Sequence, residues 1–122
     1  MPESIVIAAA RRTPIGGFQG IFSPVSATQL GSVAAAAALA DSGLSPDAID
    51  EVIFGCVLPA GLGQAPARQA ALAAGIAASV PATTVNKMCG SGMKALMIAA
   101  DQVRNGDAAV ALAGGLESMS NA

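Results

Sequence analysis

The chain has no histidine, no tryptophan and no tyrosine in its 122 residues. Without histidine it lacks the side chain best suited to act as a base near neutral pH, and also the commonest metal ligand. Aromatic residues are 2% of the sequence, all of them phenylalanine, so any core is built from Ala, Val, Leu, Ile and Met. Charged residues are scarce as well, at 11% against ~25% in ordinary globular domains. So little charge is poor cover for a monomer, and much of the surface is expected to meet more protein. The net charge of −2 offers no basic footprint for nucleic acid. No apolar run reaches the ~18 residues of a membrane span; "VAAAAALA" is short and lies between Gly31 and Asp41. In "MPESIVIAAARRTP" the acid precedes the apolar run and the arginines follow it, the reverse of a secretory signal. A cytoplasmic chain is expected on that ground, with Cys56 and Cys89 both reduced.

What is present reads as strands and helices in alternation. "SIVIAAA" (4–10) is expected to be a buried strand, rich in β-branched residues. "RRTPIGGFQGIFSPV" (11–25) is a Gly- and Pro-rich loop. Ser26 and Gln29 fit a capping box opening a helix that runs to about Asp41, with Gly43 just past its end. Ser45 and Pro46 start a short turn. "EVIFGCVL" (51–58) is a second strand, "PARQAALAAGI" (66–76) a helix and "ATTVNKM" (82–88) a third strand. Met93, Leu96, Met97, Ala100 and Val103 recur at helical spacing between Gly90 and Arg104, and "AAVALAGG" (108–115) is a fourth strand. The order β-α-β-α-β-α-β predicts one α/β unit over residues 1–122, a layered sheet with helices on both faces.

One stretch of that pattern carries chemistry. In "TTVNKMCGSGMKAL" (83–96) a cysteine stands where a strand hands over to a helix. Free backbone N–H groups and the helix dipole favour an anion at such a junction, and a thiolate is one. Gly90 and Gly92 leave the approach to the sulfur free of Cβ atoms. Position alone leaves two readings of Cys89 open, a nucleophile or a structural thiol. Cys56, in mid-strand, reads as structural. A rival reading takes Gly90, Gly92 and Ala95 as the G-x-G-x-x-A of a dinucleotide site. The strand ahead of it carries Thr83, Thr84, Asn86 and Lys87 where that fingerprint needs apolar residues. The nearest following acid, Glu117, also lies past two glycines.

"NKMCGSGMKAL" with "AGGLESMSNA", "ARRTPIGGFQG" and "GLGQAPARQAAL" closely resembles the thiolase family, the acetyl-CoA C-acetyltransferases in particular, in the same order and over essentially the whole chain. The resemblance implies a thiolase-like layered α/β fold, a mixed sheet with helices on both faces, of which this chain is the N-terminal part of the N-terminal domain. It implies that Cys89 accepts an acyl group as a thioester, which a second acetyl-CoA attacks or free CoA cleaves. Acetyl-CoA and acetoacetyl-CoA are then substrates, with no cofactor or metal beyond coenzyme A thioesters, in fatty acid metabolism. The resemblance also assigns the base to a histidine and the second acid–base role to another cysteine. Both fall in a C-terminal half that these residues do not contain, so a homo-oligomer or a complementing C-terminal half is the expected partner. Lys87 and Lys94 are no substitute, because a solvated lysine is already protonated at neutral pH. Glu117, Ser118 and Met119 are placed near the catalytic pocket without a chemical step, and Arg68 and Gln64 in a neighbouring loop. A non-catalytic chain that only assembles with a partner is the alternative.

Overall fold

A computed structural model describes residues 4–122. In chain order the elements are α1 (Ala27–Ser42), β1 (Glu51–Gly55), α2 (Pro66–Ala73), β2 (Ala82–Val85), α3 (Ser91–Asn105) and β3 (Ala111–Gly115). Single 3₁₀ turns at Pro46–Ala48 and Met119–Asn121 complete them. The limits of α1 are set by local chemistry. Ser26 Oγ accepts from the Gln29 N–H at 3.2 Å while Gln29 Oε1 accepts from the Ser26 N–H at 2.8 Å, a closed capping box. Gly43, at φ 72°, turns the chain out of the helix where a side chain would be strained.

Among the described residues the sheet has three strands in the order β2-β1-β3, and both pairings are parallel. The central strand β1 is buried from Val52 to Gly55, with Val52 0% and Ile53 1% exposed. Alternation along β1 sorts its side chains onto two faces. Val52 and Phe54 join Ala27, Ala35 and Leu39 of α1 and Ala67, Ala70 and Ala71 of α2. Ile53 joins Ala95 and Ala99 of α3 on the other face. Helices therefore cover both faces, as the apolar run in β1 requires.

The expected first strand is not one. Residues 4–10 form no ladder, and Ile5, Val6 and Ile7 are 37%, 79% and 73% exposed. β-branched residues favour extended backbone, but a strand also needs a neighbour to pair with. Among the described residues none lies beside this segment.

The other strands are shorter than their apolar runs, for an identifiable reason. The Val57 and Leu58 N–H groups, which would have extended β1, are held by the Glu117 carboxylate. At the start of β3, the N–H groups of Ala109 and Val110 are held by Asp50 Oδ2 at 2.8 and 3.1 Å. α2 stops at Ala73 rather than 76, and Gly75 at φ 95° carries the chain away.

Candidate active site

β2 ends at Val85, and six residues later α3 begins at Ser91. Between them the chain makes a tight elbow. Its most constrained residue is Met88, at φ 50°, a left-handed conformation that costs a non-glycine residue about 1–3 kcal/mol. Three hydrogen bonds hold it there. Asn86 Oδ1 accepts from the Met88 N–H at 2.9 Å, and Ser91 Oγ donates to the Met88 carbonyl at 2.6 Å. Ser91 Oγ also accepts from the Lys87 N–H at 2.8 Å. Ser91 is 4% exposed, the buried polar side chain of the described residues.

Cys89 follows Met88 directly and is exposed, whereas Cys56 is 1% exposed. The N–H groups of Gly90 and Ser91 close the turn on the Lys87 and Met88 carbonyls, both at 3.0 Å. Gly90 caps α3 without a side chain, so the cap residue itself puts nothing larger than a hydrogen over the helix N-terminus. Fifteen helical residues run away from this point, which directs the positive end of the α3 dipole at the elbow.

The elbow sits on the carboxyl end of the parallel sheet, where open α/β sheets bind ligands. Two close approaches allow it. A Cβ at Gly55, the last residue of β1, would lie 2.6 Å from both the Cβ and the carbonyl oxygen of Ser91. A Cβ at Gly115, the last residue of β3, would lie 3.3 Å from the Gly92 Cα. Glycine at each strand end lets the first turn of α3 rest against the sheet.

Glu117 lies on the same edge. Its Oε1 accepts from the Val57 N–H at 2.8 Å and its Oε2 from the Leu58 N–H at 2.9 Å. The Cys56 Sγ lies 3.7 Å from Oε2. Burial, and then the Glu117 charge and its hydrogen bond, push the Cys56 thiol above its ordinary value of 9.0.

Glu117, Ser118 and Met119 line a hollow of about 270 Å³ with the loop from Thr13 to Phe18, and Cys89 is not part of its wall. That loop is pinned to the chain's last residues, with the Gln19 N–H donating to Ser120 Oγ at 2.7 Å and Asn121 Nδ2 to the Ser23 carbonyl at 2.9 Å. Arg68 Nη2 donates to the Ala78 carbonyl and Gln69 Nε2 to the Gln64 carbonyl, so both expected loop residues serve loop packing. The ion pairs of the described residues, Arg11–Asp41 and Arg104–Asp101, involve neither Lys87 nor Lys94. Asn86 and Ser91 were legible only as polar residues near a cysteine. An Asn two residues before a residue whose N–H it binds is an Asx-turn, and that spacing was the available signal.

Two outcomes follow from the cysteine environments. In folded protein at neutral pH, iodoacetamide should modify Cys89 at least ~10-fold faster than Cys56, since a buried thiol is shielded from reagent. Peptide mapping of the alkylated protein reads this directly, and equal rates would mean that the elbow is not formed. The second concerns alkaline stability. A thiol that keeps its proton longer in the folded than in the unfolded chain contributes stability in full below about pH 9 and loses it as pH rises further. The slope for one such proton is at most ~1.4 kcal/mol per pH unit. Thermal melts of wild type between pH 8 and 10.5 should fall more steeply than those of Cys56→Ala. Parallel curves would show that Cys56 ionises without cost.

The fold and the site define an α/β protein built around an elbow cysteine at the carboxyl end of a parallel sheet. Residues 5–122 match the family model "Thiolase, N-terminal domain", and the chain belongs to the thiolase family. Acetyl-CoA acetyltransferase 2 of Arabidopsis thaliana is 58% identical over 120 residues, covering 98% of this chain and 30% of its own length. The mitochondrial Acetyl-CoA acetyltransferase B of Xenopus laevis is 56% identical over 119 residues, 98% of this chain and 28% of its own. A crystal structure of Acat5 thiolase from Ascaris suum in complex with coenzyme A superposes with a TM-score of 0.94 at 44% identity, covering 95% of this chain and 30% of that one. The chain thus spans about three-tenths of the length of the curated relatives it matches.

Proposed function

We propose that this chain supplies the acyl-accepting cysteine of an acetyl-CoA C-acetyltransferase. The observation that carries the reading is Cys89, exposed on a constrained elbow at the helix N-terminus of a thiolase N-terminal fold. In condensation, the Cys89 thiolate attacks the carbonyl carbon of acetyl-CoA. The C–S bond to coenzyme A breaks, and CoA leaves as a thiolate that takes up a proton. A second acetyl-CoA loses a proton from its methyl carbon, and the carbanion attacks the acetyl-cysteine. Acetoacetyl-CoA forms and the Cys89 thiolate is released. Thiolysis runs the same bonds backwards. Sulfur suits both steps because a thiolate is a strong nucleophile and also a good leaving group.

The tetrahedral intermediates carry an oxyanion, which a backbone N–H can stabilise by about 3 kcal/mol. The Cys89 N–H is the donor assigned here, because the turn bonds at the elbow use the N–H groups of Gly90 and Ser91 and not that of Cys89. With no histidine in the chain, the base that takes the Cys89 proton is supplied from outside these 122 residues. The apolar side chains left in solvent, among them Val6, Ile7, Met93 and Met97, support a second copy or a complementing segment as the partner. A cytoplasmic location rests on the order of charges at the N-terminus; the Xenopus relatives are named mitochondrial. No helix of the described residues is long and apolar enough to cross a membrane.

The test is an acid-quenched reaction with acetyl-CoA. This chain, joined to the C-terminal seven-tenths of a relative, should carry acetyl on the Cys89 peptide and nowhere else. Alone it should not turn over acetoacetyl-CoA with CoA, because losing a positioned base removes ~10²–10⁴-fold in rate. Acetylation of another residue, or brisk thiolysis by the lone chain, would overturn the reading.

A further inference from the structure

The hydrogen bonds at the open end of the sheet form one continuous path from Glu117 to the cysteine. The Glu117 carboxylate holds the Val57 N–H at 2.8 Å. The carbonyl of the same residue, Val57, accepts from Asn86 Nδ2 at 3.3 Å. The other end of that amide, Asn86 Oδ1, accepts from the Met88 N–H at 2.9 Å. Met88 is the residue with φ 50°, and Cys89 is bonded to it. Val57 is thus gripped on both sides, and Asn86 passes its position on to the strained residue of the elbow. The path links the segments after β1, β2 and β3, so all three strand ends share in fixing where the sulfur stands.

We propose that Asn86 and Glu117 are positioning residues that act as one unit, through Val57, to hold Met88 in its left-handed conformation and so aim Cys89. Neither touches the acyl group. Asn86 contributes both ends of its amide, the Nδ2 donating to Val57 and the Oδ1 accepting from Met88, so one planar group fixes both partners at once. Glu117 contributes a fixed carboxylate with two acceptors, so the segment after β1 cannot swing away and take Asn86 with it. Ser91, bonded to the Met88 carbonyl from the helix side, braces the same residue independently. The inference deepens the acyl-transfer reading and rests on it for its meaning, but the coupling can be measured without any catalysis.

The measurement is the alkylation rate of Cys89 by iodoacetamide in the full chain, at fixed pH, for Asn86→Ala, Glu117→Gln and the double variant. Each single change should slow alkylation by about fivefold, the size of one lost net hydrogen bond. If the two residues act through one unit, the double variant should be no slower than the slower single. A double variant slowed by the product of the two factors means that they act separately, and the proposal fails. It fails equally if neither change alters the rate. Should Asn86→Ala not fold, Asn86→Asp keeps the acceptor for Met88 but puts a carboxylate against the Val57 carbonyl, so it is compared with Asn86→Asp/Glu117→Gln, which carries the same added charge. One unit predicts equal alkylation rates for the two, and a further slowing by the full Glu117→Gln factor overturns it. In the joined enzyme, positioning predicts a fall in kcat with KM for acetoacetyl-CoA unchanged. A merely structural role would lower melting temperature and active fraction while the rate per active site stayed the same. If alkylation shows the coupling but no acetyl-cysteine forms, the acyl-transfer reading falls and the relay stands.

Discussion

Cys89→Ala, made in this chain joined to the C-terminal part of a relative, is expected to lower thiolysis of acetoacetyl-CoA by at least ~10⁴-fold, as loss of a covalent nucleophile does elsewhere. The fold should hardly notice. Cys89 is exposed and fills no part of either apolar cluster, so the change should stay within about 0.5 kcal/mol in stability. Cys89→Ser should be nearly as inactive, because a hydroxyl at neutral pH is a far weaker nucleophile than a thiol and a poorer leaving group. Cys56→Ala is the matched control, with the opposite pattern. It removes a buried sulfur and weakens the fold, yet leaves the acyl-accepting group in place. Steady-state rates and melting curves of the three variants separate the two roles. A Cys89→Ala protein within tenfold of wild type would show that the acyl group is carried elsewhere.

Gly55→Ala should be the most damaging single methyl that can be added to the sheet, costing about 3 kcal/mol or more. The new Cβ would stand 2.6 Å from both the Cβ and the carbonyl oxygen of Ser91. Neither atom is free to withdraw. The Ser91 hydroxyl is tied to the Lys87 N–H and the Met88 carbonyl, and its backbone opens α3. Relief must come from lifting the helix start off β1, and the elbow with it. Gly17→Ala is the control, since a Cβ there meets nothing within 4 Å. Urea unfolding of the two variants gives the comparison. A Gly55→Ala protein within 1 kcal/mol of wild type would mean that the elbow shifts freely on the sheet, against the close packing of protein interiors.

Those two sites also show what sequence alone makes legible. α1 was readable to within a residue because its determinants are local: Ser26 with Gln29 at one end, Gly43 at the other. β1 was readable because Val52, Ile53 and Phe54 stand together and the strand is buried on both faces. Residues 5–7 carry the same local signal and are exposed, since pairing and burial depend on what lies alongside and not on the run itself. The strand limits were misjudged where carboxylates from distant positions capture backbone N–H groups. Glu117 does so across 60 residues at the end of β1, and Asp50 across 60 residues ahead of β3. Cys89 stood out because a cysteine between strand and helix with glycines around it is a local pattern. The left-handed Met88 and the grip of Ser91 on it were invisible, and the Asn86 bond was hinted at only by its spacing, because they depend on how the turn closes in three dimensions.

The strand order has a consequence for how the protein is made. β1 is the centre of the sheet, yet it leaves the ribosome before either neighbour, with β2 ending at Val85 and β3 at Gly115. At ~5–20 residues per second the 60 residues after Gly55 take roughly 3–12 s to synthesise. For the first half of that interval, until Val85 is made, Val52, Ile53 and Phe54 have α1 and then α2 to lie against and both edges of their strand are open; the edge that β3 will cover stays open to the end of it. Parallel pairing at long separation is also slow to form once the partners exist. The nascent chain therefore passes through a window in which its most apolar strand invites pairing with other chains. Chaperone binding during synthesis should fall on residues 51–58 and be released once residue 115 has cleared the exit tunnel.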